Sequence, residues 1–142
     1  MKKPTPALTP IIDDLNRLMA EELEAGLRYF QMRYRLTGAE QLAAKEFFDK
    51  ALAETFEHAE AIAQHISALG QIPRIRINLT VKGGPVGLPE ALAEMLEVEQ
   101  QALDAYTDLL PAVSGNPDLE EFLHKQIAVE TEHVQEIKTM LG

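Results

Sequence analysis

Glu22-Leu23-Glu24-Ala25-Gly26-Leu27-Arg28-Tyr29 is answered 77 residues later by Glu99-Gln100-Gln101-Ala102-Leu103-Asp104-Ala105-Tyr106. Each stretch opens on a glutamate, carries an alanine three places on and ends on a tyrosine seven places on. Seven residues is close to two helical turns, so the glutamate and the tyrosine share one face. That face points inward. Ile11, Leu15, Leu18, Glu22, Ala25 and Tyr29 form one apolar stripe, and Leu92, Leu96, Glu99, Ala102 or Leu103, Tyr106 and Leu110 form another. In each stripe a glutamate stands where an apolar side chain is expected.

Two further segments obey the same logic. His58 follows Glu22 by 36 residues, and His133 follows Glu99 by 34. His58 falls on the stripe of Ala44, Phe47, Ala51, Thr55, Ile62 and Leu69. His133 falls on that of Leu119, Phe122, Gln126, Glu130, Ile137 and Met140. Glu130 and His133 make a Glu-x-x-His run, a spacing that places both groups on one helix face. At the matching place before His58 stands Thr55.

Apolar residues recur at helical spacing along nearly the whole chain. Thr9 as N-cap and Pro10 at the first helical position open a helix over about 10–36. Thr37 and Glu40 form a capping box that opens a second, over about 38–69, and Gly70 suits its left-handed stop. Between 70 and 88 the pattern dissolves among Pro73, Gly83, Gly84, Pro85 and Gly87, with Arg74–Val81 reading as extended. A third helix spans about 89–113. Asn116, Pro117 and Asp118 cap a fourth over about 117–141. Short links within each pair and one long link between the pairs specify an all-α four-helix bundle. Its two antiparallel hairpins are joined by a crossover, in one domain over 1–142.

Glu22, His58, Glu99, Glu130 and His133 therefore converge on one layer near the middle of the bundle. Buried carboxylates are costly unless paired, and three together repel one another. No lysine or arginine falls on the inner stripes at that level. A divalent cation or two removes the cost, so this layer is a candidate metal site.

The bulk composition agrees. The net charge of −10 disfavours nucleic acid, whose phosphates need basic patches, and favours cations. There is no cysteine, which removes thiolate ligands and leaves oxygen and imidazole. No apolar run approaches the length of a membrane span. Met1-Lys2-Lys3-Pro4 has no apolar run behind it, so no secretory signal is expected and the reading is cytoplasmic.

The segment Leu15–Ala25 followed by Tyr29-Phe30, with the carboxylate and imidazole positions above, resembles the ferritin-like di-iron proteins, most closely the bacterioferritin branch, over essentially the whole chain. The resemblance implies two iron ions per subunit, with manganese or zinc as alternatives. Glu22 and His58 would serve one iron, Glu99 and His133 the other, and Glu130 would bridge. It implies oxidation of ferrous iron by dioxygen or peroxide, with storage of the ferric product if the subunits close into a shell. Thr55 departs from the pattern, which has a second bridging glutamate there. Glu54, about 40° from His58 on the helix wheel, is the candidate to compensate, while Glu57 reads as solvated. Phe56 stands where bacterioferritins carry the haem-binding methionine, so no haem is expected. Without the fifth helix of large shells, a dodecamer or smaller assembly is as well supported as a 24-subunit one. Tyr29 and Tyr106 are placed to hydrogen-bond the carboxylates.

A second apolar stripe on the second helix, Leu52, Phe56, Ala59 and Ala63, suggests a homo-oligomer built on a dimer through helices one and two. The alternative is that loop 70–88 covers it. His65 and His124 read as ordinary surface or core residues, and Met19, Met95 and Met140 as core filler. Two other function classes remain: a non-storage di-metal redox enzyme, and a structural module with a degenerate site.

Overall fold

The computed structural model describes residues 8–142; the Met1–Pro4 start lies outside the described residues. Four helices follow one another: α1 (Thr9–Arg35), α2 (Gly38–Ala68), α3 (Leu88–Leu109) and α4 (Pro117–Leu141), with a 3₁₀ turn, Leu110–Val113, after α3. There is no strand among the described residues. Each expected helix is present, with ends within a few residues of those read from the sequence.

Local chemistry explains most of the boundaries. Asn116 caps α4 by accepting a hydrogen bond from the Leu119 N–H at 3.2 Å. Gly70, at φ +82°, closes α2. The Gly70 N–H donates to Ser67 O and the Gln71 N–H to Ile66 O, the paired bonds of a Schellman stop. Two expected caps differ. Thr9 is the first residue of α1, behind Leu8 in the capping position. Thr37 takes the N-cap place of α2 but makes no side-chain cap bond. Glu40 is drawn elsewhere: its Oε2 accepts from the Leu88 N–H at 2.8 Å and so satisfies the start of α3.

The core divides into two apolar clusters. One gathers Leu15, Leu18, Ile62, Ile66, Leu119 and Leu123; the other gathers Met32, Leu36, Phe48, Leu92, Met95 and Ile137. The polar residues Glu22, His58, Glu99 and Glu130 are buried between them along each helix. The inner stripes need small corrections. On α2 Ala44 and Ile62 are fully buried as expected, but so are Phe48 and Ile66, whereas Phe47 and Leu69 are only partly buried, because a straight helix drifts relative to a fixed repeat. Met19 and Met95 are core residues as expected, but Met140, in the last turn of α4, is 41% exposed.

The crossover, residues 69–87, runs along α1. The Arg74 N–H donates to the buried Asn16 Oδ1 at 2.7 Å, Asn78 N–H to Glu24 Oε1 at 2.9 Å, and Val86 N–H to Arg35 O at 3.0 Å. Arg74–Val81 forms no regular element.

α1 approaches α2 closely at Gly26. A Cβ there would meet Thr55 Oγ1 at 2.8 Å and the Phe56 ring at 3.2 Å. Thr55 cannot easily yield, since its hydroxyl donates to Leu52 O at 2.8 Å and its β-branched side chain is buried. Alanine normally gains about 1 kcal/mol over glycine inside a helix. Here overpacking, at about 1–3 kcal/mol, should reverse the sign. Gly26→Ala is expected to lower stability in urea denaturation, and Thr55→Ala in the same chain should relieve the loss. A more stable single variant would contradict the close approach.

Candidate metal centre

α1, α2, α3 and α4 each send side chains into the central layer. Two groups form there, Glu22–His58–Glu130 and Glu99–Glu130–His133, each with its ligand atoms within 4.8 Å of one another. Glu130 belongs to both. His58 Nδ1 lies 3.6 Å from Glu22 Oε2 and 3.5 Å from Glu130 Oε1. His133 Nδ1 lies 3.6 Å from Glu99 Oε2 and 3.7 Å from Glu130 Oε2. These gaps are too long for good hydrogen bonds. They are slightly wider than the roughly 3–3.5 Å between two ligand atoms that each sit about 2 Å from a shared cation, a difference that small side-chain shifts would close.

Two buried atoms fit the same arrangement. His58 Nδ1 and Glu130 Oε2 are buried and have no hydrogen-bond partner among the described residues. Such orphans are rare without a reason, and an ion at each group would satisfy them. The remaining carboxylate oxygens are satisfied by tyrosines. Tyr29 Oη donates to Glu99 Oε1 at 2.6 Å, and Tyr106 Oη donates to Glu22 Oε1 at 2.8 Å. Each tyrosine thus serves the glutamate of the other half of the repeat. The two imidazoles stack across the layer with ring centroids 6.0 Å apart.

Without a cation, protons hold the layer together. Burial opposes charge on His58, but Glu130 and Glu22 outweigh it and push the imidazole up to about 10. Burial likewise opposes charge on His133, and Glu130 and Glu99 raise it to about 11. Burial lifts Glu130 to about 8 despite both histidines, with Glu99 adding to the rise. Burial also acts against ionised Glu99, yet His133, Glu130 and Tyr29 hold it down at about 2. These protons are the ones a divalent cation displaces.

All five residues expected to converge therefore do so. Thr55 is buried at 3% exposure, but its hydroxyl is spent on Leu52 O, and it belongs to neither group. Glu54 also lies outside both groups; its Oε2 sits 2.6 Å from His133 Nε2, the nitrogen turned away from the centre. Glu57 is exposed. His65 packs against Phe122, with ring centroids 4.4 Å apart. One feature had no signal in the sequence. A cavity of about 350 Å³ borders Tyr29, Glu54, Glu99 and His133, with Glu46 and Glu136 at its wall. It reaches one of the two groups only.

A family model described as ferritin-like domain matches residues 12–142. The chain belongs to the ferritin-like family. This ferritin-like chain resembles a diiron-carboxylate protein from Bacillus anthracis with a TM-score of 0.88 and 23% identity, covering 97% of this chain and 99% of that one. It resembles a bacterioferritin from Desulfovibrio desulfuricans with a TM-score of 0.81 and 21% identity, over 95% of this chain and 80% of the other. It also resembles a dodecameric thioferritin from Bacteroides fragilis with a TM-score of 0.82 and 22% identity, over 94% and 85%. No curated protein shows significant similarity to it.

A hydrogen bond to a charged group contributes about 1.5–3 kcal/mol. Tyr29→Phe and Tyr106→Phe are each expected to destabilise the metal-free protein by that order, read from chemical denaturation. Equal stability of both variants would show that the tyrosines are packing residues alone.

Proposed function

We propose that the chain binds two metal ions per subunit, iron foremost, and oxidises ferrous iron with dioxygen or peroxide. The observation that supports this reading is the pair of three-residue groups joined through Glu130. Ferrous iron is the substrate here: each ion gives up one electron, and the oxidant accepts it. Glu22 with His58 would hold one ion, Glu99 with His133 the other, and Glu130 both. Hard carboxylate oxygen favours the ferric product over the ferrous substrate. Tyr29 and Tyr106 fix the orientation of Glu99 and Glu22 by their hydrogen bonds, and the apolar clusters close the layer above and below. The resemblance to a diiron-carboxylate protein and to a bacterioferritin supports the choice of metal.

Thr55 gives a second reading its footing. With threonine in place of a second bridge, three carboxylates face two divalent ions, leaving one positive charge uncompensated. A site short of negative charge stabilises a ferric pair less. A non-storage di-metal redox enzyme, working on iron or manganese, is the reading that this shortage favours.

Anaerobic ferrous titration followed by oxygen separates the readings. Two ferrous ions per chain and a rise in ferric absorbance are expected. Glu130→Gln should weaken both ions, whereas Glu22→Gln should weaken one. Metal uptake with no absorbance rise supports the second reading. No uptake by the folded wild-type chain removes both.

The same reading makes the protein an oligomer in the cytoplasm. Among the described helices none is long and apolar enough to cross a membrane. α1 and α2 share an exposed apolar surface, with Phe30 50%, Tyr34 68% and Phe56 44% exposed. The crossover is hydrogen-bonded along α1 and leaves this surface open. A second copy is the occupant proposed, as a dimer from which a shell for ferric iron could grow. Light scattering should report a dimer or a larger assembly, reduced to a monomer by Phe30→Glu with Phe56→Glu. A monomeric wild type at tens of micromolar would remove the proposal.

A further inference from the structure

The central layer is asymmetric, and the asymmetry sits on α2. Three places before the two histidines stand Thr55 and Glu130; four places before them stand Glu54 and Val129. The carboxylate of α2 is thus displaced by one residue, about 100° around the helix, from the place its counterpart holds on α4. The displacement carries it past the ion-facing side to the flank of the opposite imidazole. Glu54 Oε2 meets His133 Nε2 at 2.6 Å, while His133 Nδ1 faces Glu99 and Glu130. Among the described residues, no carboxylate takes the matching place beside His58. The carboxylates near its ring, Glu22 and Glu130, both lie at Nδ1.

We propose that Glu54 is a positioning residue that holds His133 by its outer nitrogen and so makes the Glu99–Glu130–His133 half of the centre the tighter one. The proposal rests on the metal-binding reading above. A carboxylate this close to Nε2 favours a hydrogen on that nitrogen, which leaves Nδ1 free to face a cation and fixes the ring. Glu54 is itself only loosely tied: its Oε1 lies 3.7 Å from Lys50 Nζ, an exposed group in a pair of little strength. The contact is worth more than a surface pair because His133 is only 17% exposed at its side chain. The cavity beside Glu54 also opens on this half alone. The lost second bridge is thus not replaced by another ligand. Its charge acts one step removed, on one imidazole, and the two halves of the centre become unequal.

Zinc is the probe, because it has no redox chemistry to confuse the reading. Calorimetric titration of the full chain with Zn²⁺ is expected to show two unequal steps. Glu54→Val, which gives α2 the residue that α4 carries at the matching place, should weaken the tighter step by about 10- to 100-fold and leave the weaker step nearly unchanged. Glu54→Gln, which keeps an acceptor without the charge, should fall between. A second readout needs no metal. The Nε2–H proton of His133 should be visible and slow to exchange in ¹H–¹⁵N spectra of the wild type, and lost to solvent exchange in Glu54→Val. Glu54 is partly exposed, so both variants should keep the helical circular dichroism of the parent. An isotherm unchanged in folded Glu54→Val, or a persistent Nε2–H signal, overturns the role given to Glu54. Absence of any zinc uptake by the wild type overturns the metal reading and the affinity difference with it.

Discussion

Three carboxylates and two imidazoles share a layer with apolar clusters on either side, and the rest of the bundle is arranged around that burden. An unpaired carboxylate in such a place is too costly to keep. Several polar groups of the layer therefore face partners on a different helix, and these pairings constrain how the helices slide past one another. Tyr29 meets Glu99 while Tyr106 meets Glu22, so α1 and α3 run antiparallel with one register. His58 lies by Glu130 while Glu54 meets His133, so α2 and α4 do the same. Apolar stripes alone would tolerate several registers. The polar layer accepts one, which is the best-attested use of buried polar groups.

The internal repeat explains why the layer contains two three-residue groups that share Glu130. Each half of the chain supplies a glutamate on its first helix and a histidine on its second, and an approximate two-fold arrangement brings them to either side of Glu130. Where the halves differ, the centre differs. Glu130 reaches both groups from α4, whereas Thr55 turns its hydroxyl to its own helix and leaves space for Gly26 of α1. The close packing of α1 on α2 and the missing second bridge thus sit at the same residue.

Much of this was legible in the sequence because two periodicities coincide. The helical repeat of apolar residues located the four helices. The glutamates and histidines interrupting it located the layer, since a charged residue in phase with a core stripe has few explanations. What the sequence hid is what depends on angles of a few tens of degrees. Glu54 and Thr55 differ by one position, and only the actual rotation of α2 decides which one faces the centre. Phe47 and Phe48 pose the same ambiguity, and Phe48 took the core. The capping box at Thr37 and Glu40 failed for another reason. Glu40 satisfies an N–H from α3, a partner 48 residues away that local spacing cannot reveal.

The crossover follows from the same layer. If α1 and α2 are antiparallel, and α1 and α3 must also be antiparallel to pair their tyrosines and glutamates, then α2 ends at one end of the bundle and α3 begins at the other. α1, at 27 residues, spans about 40 Å. A link of residues 69–87 can reach about 60 Å when extended, which is enough to cross that length as an irregular chain. Its backbone then needs partners along the way. Asn16, Glu24 and Arg35 supply them at the start, middle and end of α1. The loop's path along α1 is thus marked by hydrogen bonds to a buried Asn16, to Glu24 and to the Arg35 carbonyl. Phe30 and Phe56 stay exposed, and so do Ile72, Ile75 and Ile77 of the loop.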